Sequence, residues 1–418
     1  MRIKRVTATK GLGGYYFDDL HAIKAGAKRD GFFYVGDPMV AGQYKVRQPG
    51  ESISIILELD DGSIAFGDAV AIQYSGVVGR DPVLIADTFI PFVDEYIAPY
   101  LEGKELTSFR ELAEGLERIQ VGDGKLHTGL RYGASQAILQ AVAQARRVTM
   151  AEVVASEYGT PMSRQSIAVL AQSGDDRHSG ADKMILKSVP AITQGLFNHV
   201  DKIGTDGSTL KEYVQWLRQR VLDYGDDGYE PVFHLDVYGM PGAIFDNDPI
   251  RVAAYLTELG QVAAPFALRI EAPVDGGDRD STMRLMTQLR AELARVGSPV
   301  QICADDWCNT LEDIQEFVKA GAADMIQIKT PDLGSLTNSI EALLCCKESG
   351  VLAFLGGTCN GTDQSSRVTA NVALGTSADL IYNKPGMGVD EGLMIVTNEM
   401  SRVLALASAR STSTTAAA

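Results

Sequence analysis

The chain has 418 residues, enough for a barrel plus a second domain, with 45% hydrophobic and 22% charged residues as in an ordinary globular protein. A net charge of −16 leaves no basic excess to meet phosphate and argues against a nucleic-acid partner. No apolar run is long enough to span a membrane, MRIKRVTATKG lacks the apolar core of a secretory signal, and five cysteines without CxxC spacing fit a reducing cytoplasm.

In chain order, residues 2–9, 31–36, 51–59 and 63–73 read as strands, with ELDDGSIAFGD predicting a hairpin at Asp61-Gly62. Helical patterns follow at 82–100, 107–118 and 129–157, the last stopping at Tyr158-Gly159. Strands followed by helices without alternation predict an α+β capping domain over residues 1–160. From 165 the rhythm changes. Apolar runs rich in β-branched residues recur at 166–172, 183–188, 231–237, 266–271, 300–305, 324–329, 351–355 and 379–382, mostly with helical stretches between them. A long insert at about 189–230 carries the amphipathic LKEYVQWLRQRVLDYG. Eight runs are the count of a (β/α)₈, TIM-like barrel, which places the catalytic domain at 161–407 in an α/β protein. Residues 395–406 predict a closing helix, and the low-complexity tail 408–418 is expected to be disordered.

Four polar residues each close an apolar run: Asp236 in VFHLDVYG, Glu271 in ALRIEAP, Asp305 in VQICADDW and Lys329 in MIQIKTPDLG. Consecutive barrel strands deliver their C-terminal residues to one mouth. Three carboxylates converging there suit a hard divalent cation such as Mg²⁺, with Asp306 the confounding neighbour of Asp305. A lysine on the next strand would face whatever the metal holds. That combination suits removal of a proton next to a carboxylate: the metal stabilises the developing enediolate, and a lysine of lowered pKa accepts the proton. Taken singly, each acid is more simply a helix cap or solvated loop residue; their succession at barrel spacing reverses that preference. Lys187, at the end of the second run, reads as a structural ion pair, with a second base as the alternative. Cys303 and Cys308 read as packing residues, and His127 and His178 as structural histidines. The glycines of FLGGTCNGT and KPGMGVDEG would admit a phosphate or a carboxylate.

With these motifs laid out, the chain resembles the enolase superfamily and, within it, the methylaspartate ammonia-lyase family. The similarity runs from GLGGYYFDD through VRQPGESIS, AIQYSGVVGRDP, LHTGLRYGASQAIL, LAQSGDDR, HLDVYG, RIEAP, DDWCNT, QIKTPDLG and GGTCN to KPGMGVDEG. It implies an enolase-like fold, loss of ammonia from (2S,3S)-3-methylaspartate to give mesaconate, Mg²⁺, activation by K⁺ and a homodimer. It implies metal ligation by Asp236, Glu271 and Asp305, with Lys329 taking the C3 proton. Gln327, which shares the face of Lys329, would bind the metal-held carboxylate. Gln172 and Thr358-Cys359 would hold the other carboxylate and the amine, and Gln73 would reach in from the capping domain.

Two positions depart from the family pattern. Gln194, in TQGLFNH, stands where the family has a histidine that serves as acid/base on the opposite face of the substrate, and an amide cannot exchange protons at neutral pH. His199, five positions on and about 140° around a helix, would not face the same point. Tyr382 stands where the family usually has a leucine beside the substrate's alkyl group. Both put the substrate, more than the reaction class, in question. A lyase or dehydratase acting on another amino or hydroxy diacid is the alternative. A racemase needs bases on both faces, and an intact triad with its lysine argues against a silent binding protein.

Overall fold

The computed structural model describes residues 1–416, with side chains through Arg410. In the N-terminal part, Ile3–Asp18 pairs antiparallel with Arg47–Leu59, which pairs antiparallel with Ile64–Ala69 across the expected Asp61-Gly62 turn. Alternation in the middle strand puts Ile53, Ile55, Leu57 and Leu59 on one fully buried face. The expected strand at 31–36 is half of a small hairpin, Lys28–Asp30 with Phe33–Val35. The helix expected over 129–157 is two helices. Thr128–Arg146 ends at Arg147, whose left-handed backbone turns the chain, and Thr149 caps Met150–Tyr158 through a reciprocal bond with Glu152. Gly159 closes the second helix at φ 66°.

Helix Thr128–Arg146 joins the two parts of the molecule. It lies so close to the sheet that a Cβ on Gly133 would stand 2.4 Å from the Ala69 nitrogen. On its other side Ser135 Oγ accepts a hydrogen bond from the Leu336 nitrogen, at the start of the helix after the sixth barrel strand.

The barrel is closed and parallel. Its strands are Val169–Leu170, Ala191–Gln194, Val232–Asp236, Leu268–Glu271, Gln301–Ala304, Met325–Ile328, Leu352–Leu355 and Leu380–Tyr382. Seven of the eight expected runs overlap these strands. The run at 183–188 does not: Met184–Leu186 belong to helix Arg177–Leu186, and the second strand lies at Ala191–Gln194, inside the segment expected as an insert. Periodicity cannot tell a six-residue apolar run from the end of a buried helix. Lys187 is thus the C-cap of a helix at the opposite end of the barrel, ion-paired to Asp390. The closing helix runs Asp390–Ala416, so 408–416 is helical where disorder was expected; residues 417 and 418 lie outside the described residues.

Gly133→Ala should invert the usual helix rule. Alanine ordinarily gains about 1 kcal/mol over glycine in a helix, but here the methyl meets backbone, and overpacking costs about 1–3 kcal/mol. A lower urea midpoint than wild type is expected; a higher one would refute the close contact.

Candidate active site

Each barrel strand ends at the same mouth. Asp236 and Glu271 are the last residues of their strands and face each other in register; Asp305 and Lys329 each follow a strand directly. Several mouth residues, Gln194, Tyr238 and Ala272 among them, hold left-handed backbone, a strained state that clusters at functional sites.

Asp236, Glu271 and Asp305 are buried, and each offers an oxygen such that the three lie within 4.8 Å of one another. Removal from water pushes all three up. Asp236 is raised well above the carboxylate range with further repulsion from Glu271 and Asp305; Glu271 rises to about 7 against an opposing bond from Gln194, and Asp305 to about 7 against the pull of Lys329. Oxygens around Mg²⁺ at about 2.1 Å are at most about 4.2 Å apart. The three acids would therefore hold the cation after small side-chain shifts. Asp305 Oδ1 accepts no well-aligned hydrogen bond, although Lys329 Nζ stands 2.6 Å away as an ion-pair partner. Asp306 is not a fourth member. Its carboxylate takes a 2.8 Å bond from Arg80, which also binds Asp332, and Arg80 and Lys329 outweigh burial to keep it ionised.

Lys329 is buried as expected, but its pKa is raised and not lowered: desolvation pulls it down, and the charges of Asp305, Asp306 and Asp332 together outweigh that pull. The expectation counted burial alone and omitted the ion pair.

Glu271 is held by three donors. Gln194 Nε2 and His234 Nε2 reach Oε2 at 2.9 and 2.8 Å, and Gln327 Nε2 reaches Oε1 at 2.9 Å. Burial holds His234 neutral, so its Nε2 donates. His199 caps a short helix, Val200–Ile203, with its ring mostly exposed. It does stay away from the Gln194 position, but because Gln194 ends a strand, not because of the helical offset expected.

A cavity opens over these groups, lined by Gln73, Gln172, Gln194, Gln327, Lys329, Thr358, Cys359, Tyr382 and, unforeseen, Lys384. The structure thus brings every expected site residue to one mouth. Gln73 is committed at both ends: its Nε2 donates to Asp18 Oδ2 at 2.7 Å and its Oε1 accepts from Cys359 Sγ at 3.2 Å. Thr358 Oγ1 donates to the Ala71 carbonyl at 3.0 Å. Tyr382 packs edge-on to Phe354 with its hydroxyl unpartnered. Lys384 follows the eighth strand by two residues, in a turn where its nitrogen bonds the Tyr382 carbonyl, so strand alternation does not point it out.

Comparison with known proteins agrees with this geometry. The models for the methylaspartate ammonia-lyase N-terminus and C-terminus match residues 1–159 and 161–409. Methylaspartate ammonia-lyase 1 of Carboxydothermus hydrogenoformans is 52% identical over 97% of each chain. The Mg complex of β-methylaspartase from Clostridium tetanomorphum superposes with a TM-score of 0.94 at 49% identity, covering 98% of this chain and 100% of that one. The Citrobacter amalonaticus methylaspartate ammonia lyase containing (2S,3S)-3-methylaspartic acid gives 0.96 at 46% identity, covering 98% and 100%.

The raised carboxylates set a pH dependence. The folded state keeps protons that the unfolded chain has released, so the stability contributed by this cluster falls as pH rises from about 4 to about 7. A cation replaces those protons. Adding Mg²⁺ should therefore raise the Tm by several degrees more at pH 8 than at pH 5.5 in a thermal scan; equal rises would separate the cation from these three carboxylates.

Proposed function

Because the chain belongs to the methylaspartate ammonia-lyase family of carbon–nitrogen lyases, we propose that it removes ammonia from (2S,3S)-3-methylaspartate to give mesaconate. The observation that carries this reading is the buried triad Asp236, Glu271 and Asp305 with Lys329 beside it at the mouth of one cavity. The three acids would hold Mg²⁺, which, when bound, supplies a positive charge to the carboxylate next to C3 and so makes the C3–H acidic. Lys329 takes the C3 proton once it is neutral. Its charged form pairs with Asp305, and withdrawal of that pairing is what would bring its pKa down.

Gln194 and Gln327 each spend one amide hydrogen on Glu271 and keep a second for the same substrate carboxylate; Gln327 Oε1 has no partner. At the other end Gln172, Thr358, Cys359 and Gln73 surround the carbon that carries the amine. The leaving nitrogen departs from C2 as the electron pair from the C3–H bond closes the double bond, so the released proton stays on Lys329. Tyr382 faces the C3 substituent with its ring. Residues 1–160 act as the cap over the barrel 161–407 in this reading. Homodimerisation and K⁺ activation rest on the family resemblance. A cytoplasmic setting is supported by five free cysteines, and no helix of the described residues is long and apolar enough to cross a membrane.

Turnover is read by the ultraviolet absorbance of the conjugated product in Mg²⁺ and K⁺. Lys329→Ala should reduce kcat for the (2S,3S) substrate at least 10³-fold, within the range of a lost general base. The (2S,3R) diastereomer should be slow with wild type, since Gln194 leaves the opposite face without a proton acceptor; similar rates for both diastereomers would contradict that assignment. A wall formed by Tyr382 should also make 3-propylaspartate slower than 3-methylaspartate, and Tyr382→Ala should narrow that gap. A gap unchanged in the variant would remove Tyr382 from the alkyl subsite.

A further inference from the structure

Two lysines enter the cavity, and only one of them has a use in the reaction as derived. Lys384 is 7% exposed. Its stem packs against the glycine loop after the seventh strand, where a Cβ on Gly357 or Gly361 would meet it at 3.5 and 3.8 Å. Its Nζ donates to Gln172 Oε1 at 2.7 Å and stands 4.2 Å from the centre of the Tyr382 ring. Among the described residues no carboxylate pairs with it, whereas Lys329 pairs with both Asp305 and Asp306. A buried ammonium needs an anion or a full set of acceptors, and here one amide oxygen and an aromatic face are the polar neighbours. Burial draws its pKa down to about 8, the response of a cation that lacks a counter-ion.

Its place in the barrel limits what it can do. Lys384 follows the eighth strand, Lys329 the sixth, and Gln194 ends the second. In a ring of eight strands the position across from Lys329 belongs to Gln194. Lys384 therefore does not stand on the opposite face of the substrate and does not replace the absent histidine. It lies beside Gln172, Thr358 and Cys359, on the side away from Glu271 and Asp305.

We infer that Lys384 is the cationic anchor for the substrate carboxylate remote from the metal, and the residue that selects dicarboxylates over monocarboxylates. This rests on the function proposed above and names a further binding residue within it. By taking the Gln172 oxygen, Lys384 would leave the Gln172 amide nitrogen as a second donor for the same carboxylate. A substrate with one carboxylate at the metal and another two carbons away would meet an opposite charge at each end.

The test compares two unsaturated acids that differ by one carboxylate: mesaconate, and methacrylate, which lacks the carboxylate Lys384 would face. Binding is measured by calorimetry on the Mg²⁺-loaded protein, after wild type has been shown to convert (2S,3S)-3-methylaspartate. Lys384→Met should weaken mesaconate roughly 10- to 100-fold, the range of a charge-assisted hydrogen bond, and leave methacrylate within about threefold. Lys384→Gln asks the same question should the methionine variant fold poorly, and an unchanged Mg²⁺ affinity in either reports an intact site. Equal weakening of both acids would mean that Lys384 only holds Gln172 and the glycine loop, and would overturn the inference. So would mesaconate binding as in wild type. A wild type that turns over no methylaspartate would instead overturn the functional reading, before any variant is compared.

Discussion

Three carboxylates within 4.8 Å of one another, all removed from water, are the constraint around which this molecule is arranged. Left alone such a cluster keeps its protons, and Glu271 and Asp305 do so up to about pH 7. Everything packed on the mouth either neutralises that charge or orients it. Lys329 pairs with Asp305; His234, Gln194 and Gln327 saturate Glu271; Arg80 takes Asp306 out of the cluster by binding it together with Asp332. The division of two adjacent aspartates into one member of the carboxylate cluster and one structural ion is made by Arg80, which belongs to the capping part of the chain. The cap is thus part of the electrostatics of the site as well as its lid.

The same arrangement ties the position of the cap to the chemistry. Gln73 hangs from Asp18 on the first strand and meets Cys359 from the barrel, while Thr358 bonds the Ala71 carbonyl. These contacts are polar and few. The precision with which they are held comes from elsewhere, from helix Thr128–Arg146 wedged between the sheet and the sixth barrel unit. The Gly133 contact fixes that helix to the cap's sheet and the Ser135 bond fixes it to the barrel, and a site shared between two domains needs such a seat.

Much of this was legible in the sequence because barrel geometry converts spacing into convergence. Asp236, Glu271, Asp305 and Lys329 each end an apolar run, and parallel strands must bring such residues to one side. What failed did so for identifiable reasons. The run Met184–Leu186 is as apolar as a strand and is the end of a helix, so Lys187 was placed at the wrong end of the barrel. The pKa of Lys329 was argued from burial, a property a sequence pattern suggests, whereas the company of Asp305, Asp306 and Asp332, which it does not, decides the sign. Lys384 was passed over within a quoted motif because it follows the strand and sits among glycines, where an exposed lysine is the ordinary outcome. Gln194 stood out only against a family pattern; nothing in TQGLFNH by itself points to a carboxylate 77 positions away.

Gln194 also shapes the site without carrying a titrating proton. A histidine at the end of the second strand would add a titratable group beside Glu271, which already has His234 at 2.8 Å. The amide of Gln194 supplies the same kind of donor to Glu271 Oε2 without a titration of its own. Gln194 thus adds no titration of its own to that of Glu271, which burial pushes up to about 7. In the reaction proposed above one acceptor face would suffice: the proton would leave C3 toward Lys329, and the amine would already carry the proton with which it departs. Asymmetry of this kind would restrict stereochemistry without weakening the metal site, because Gln194 both orients Glu271 and favours its ionised form against burial.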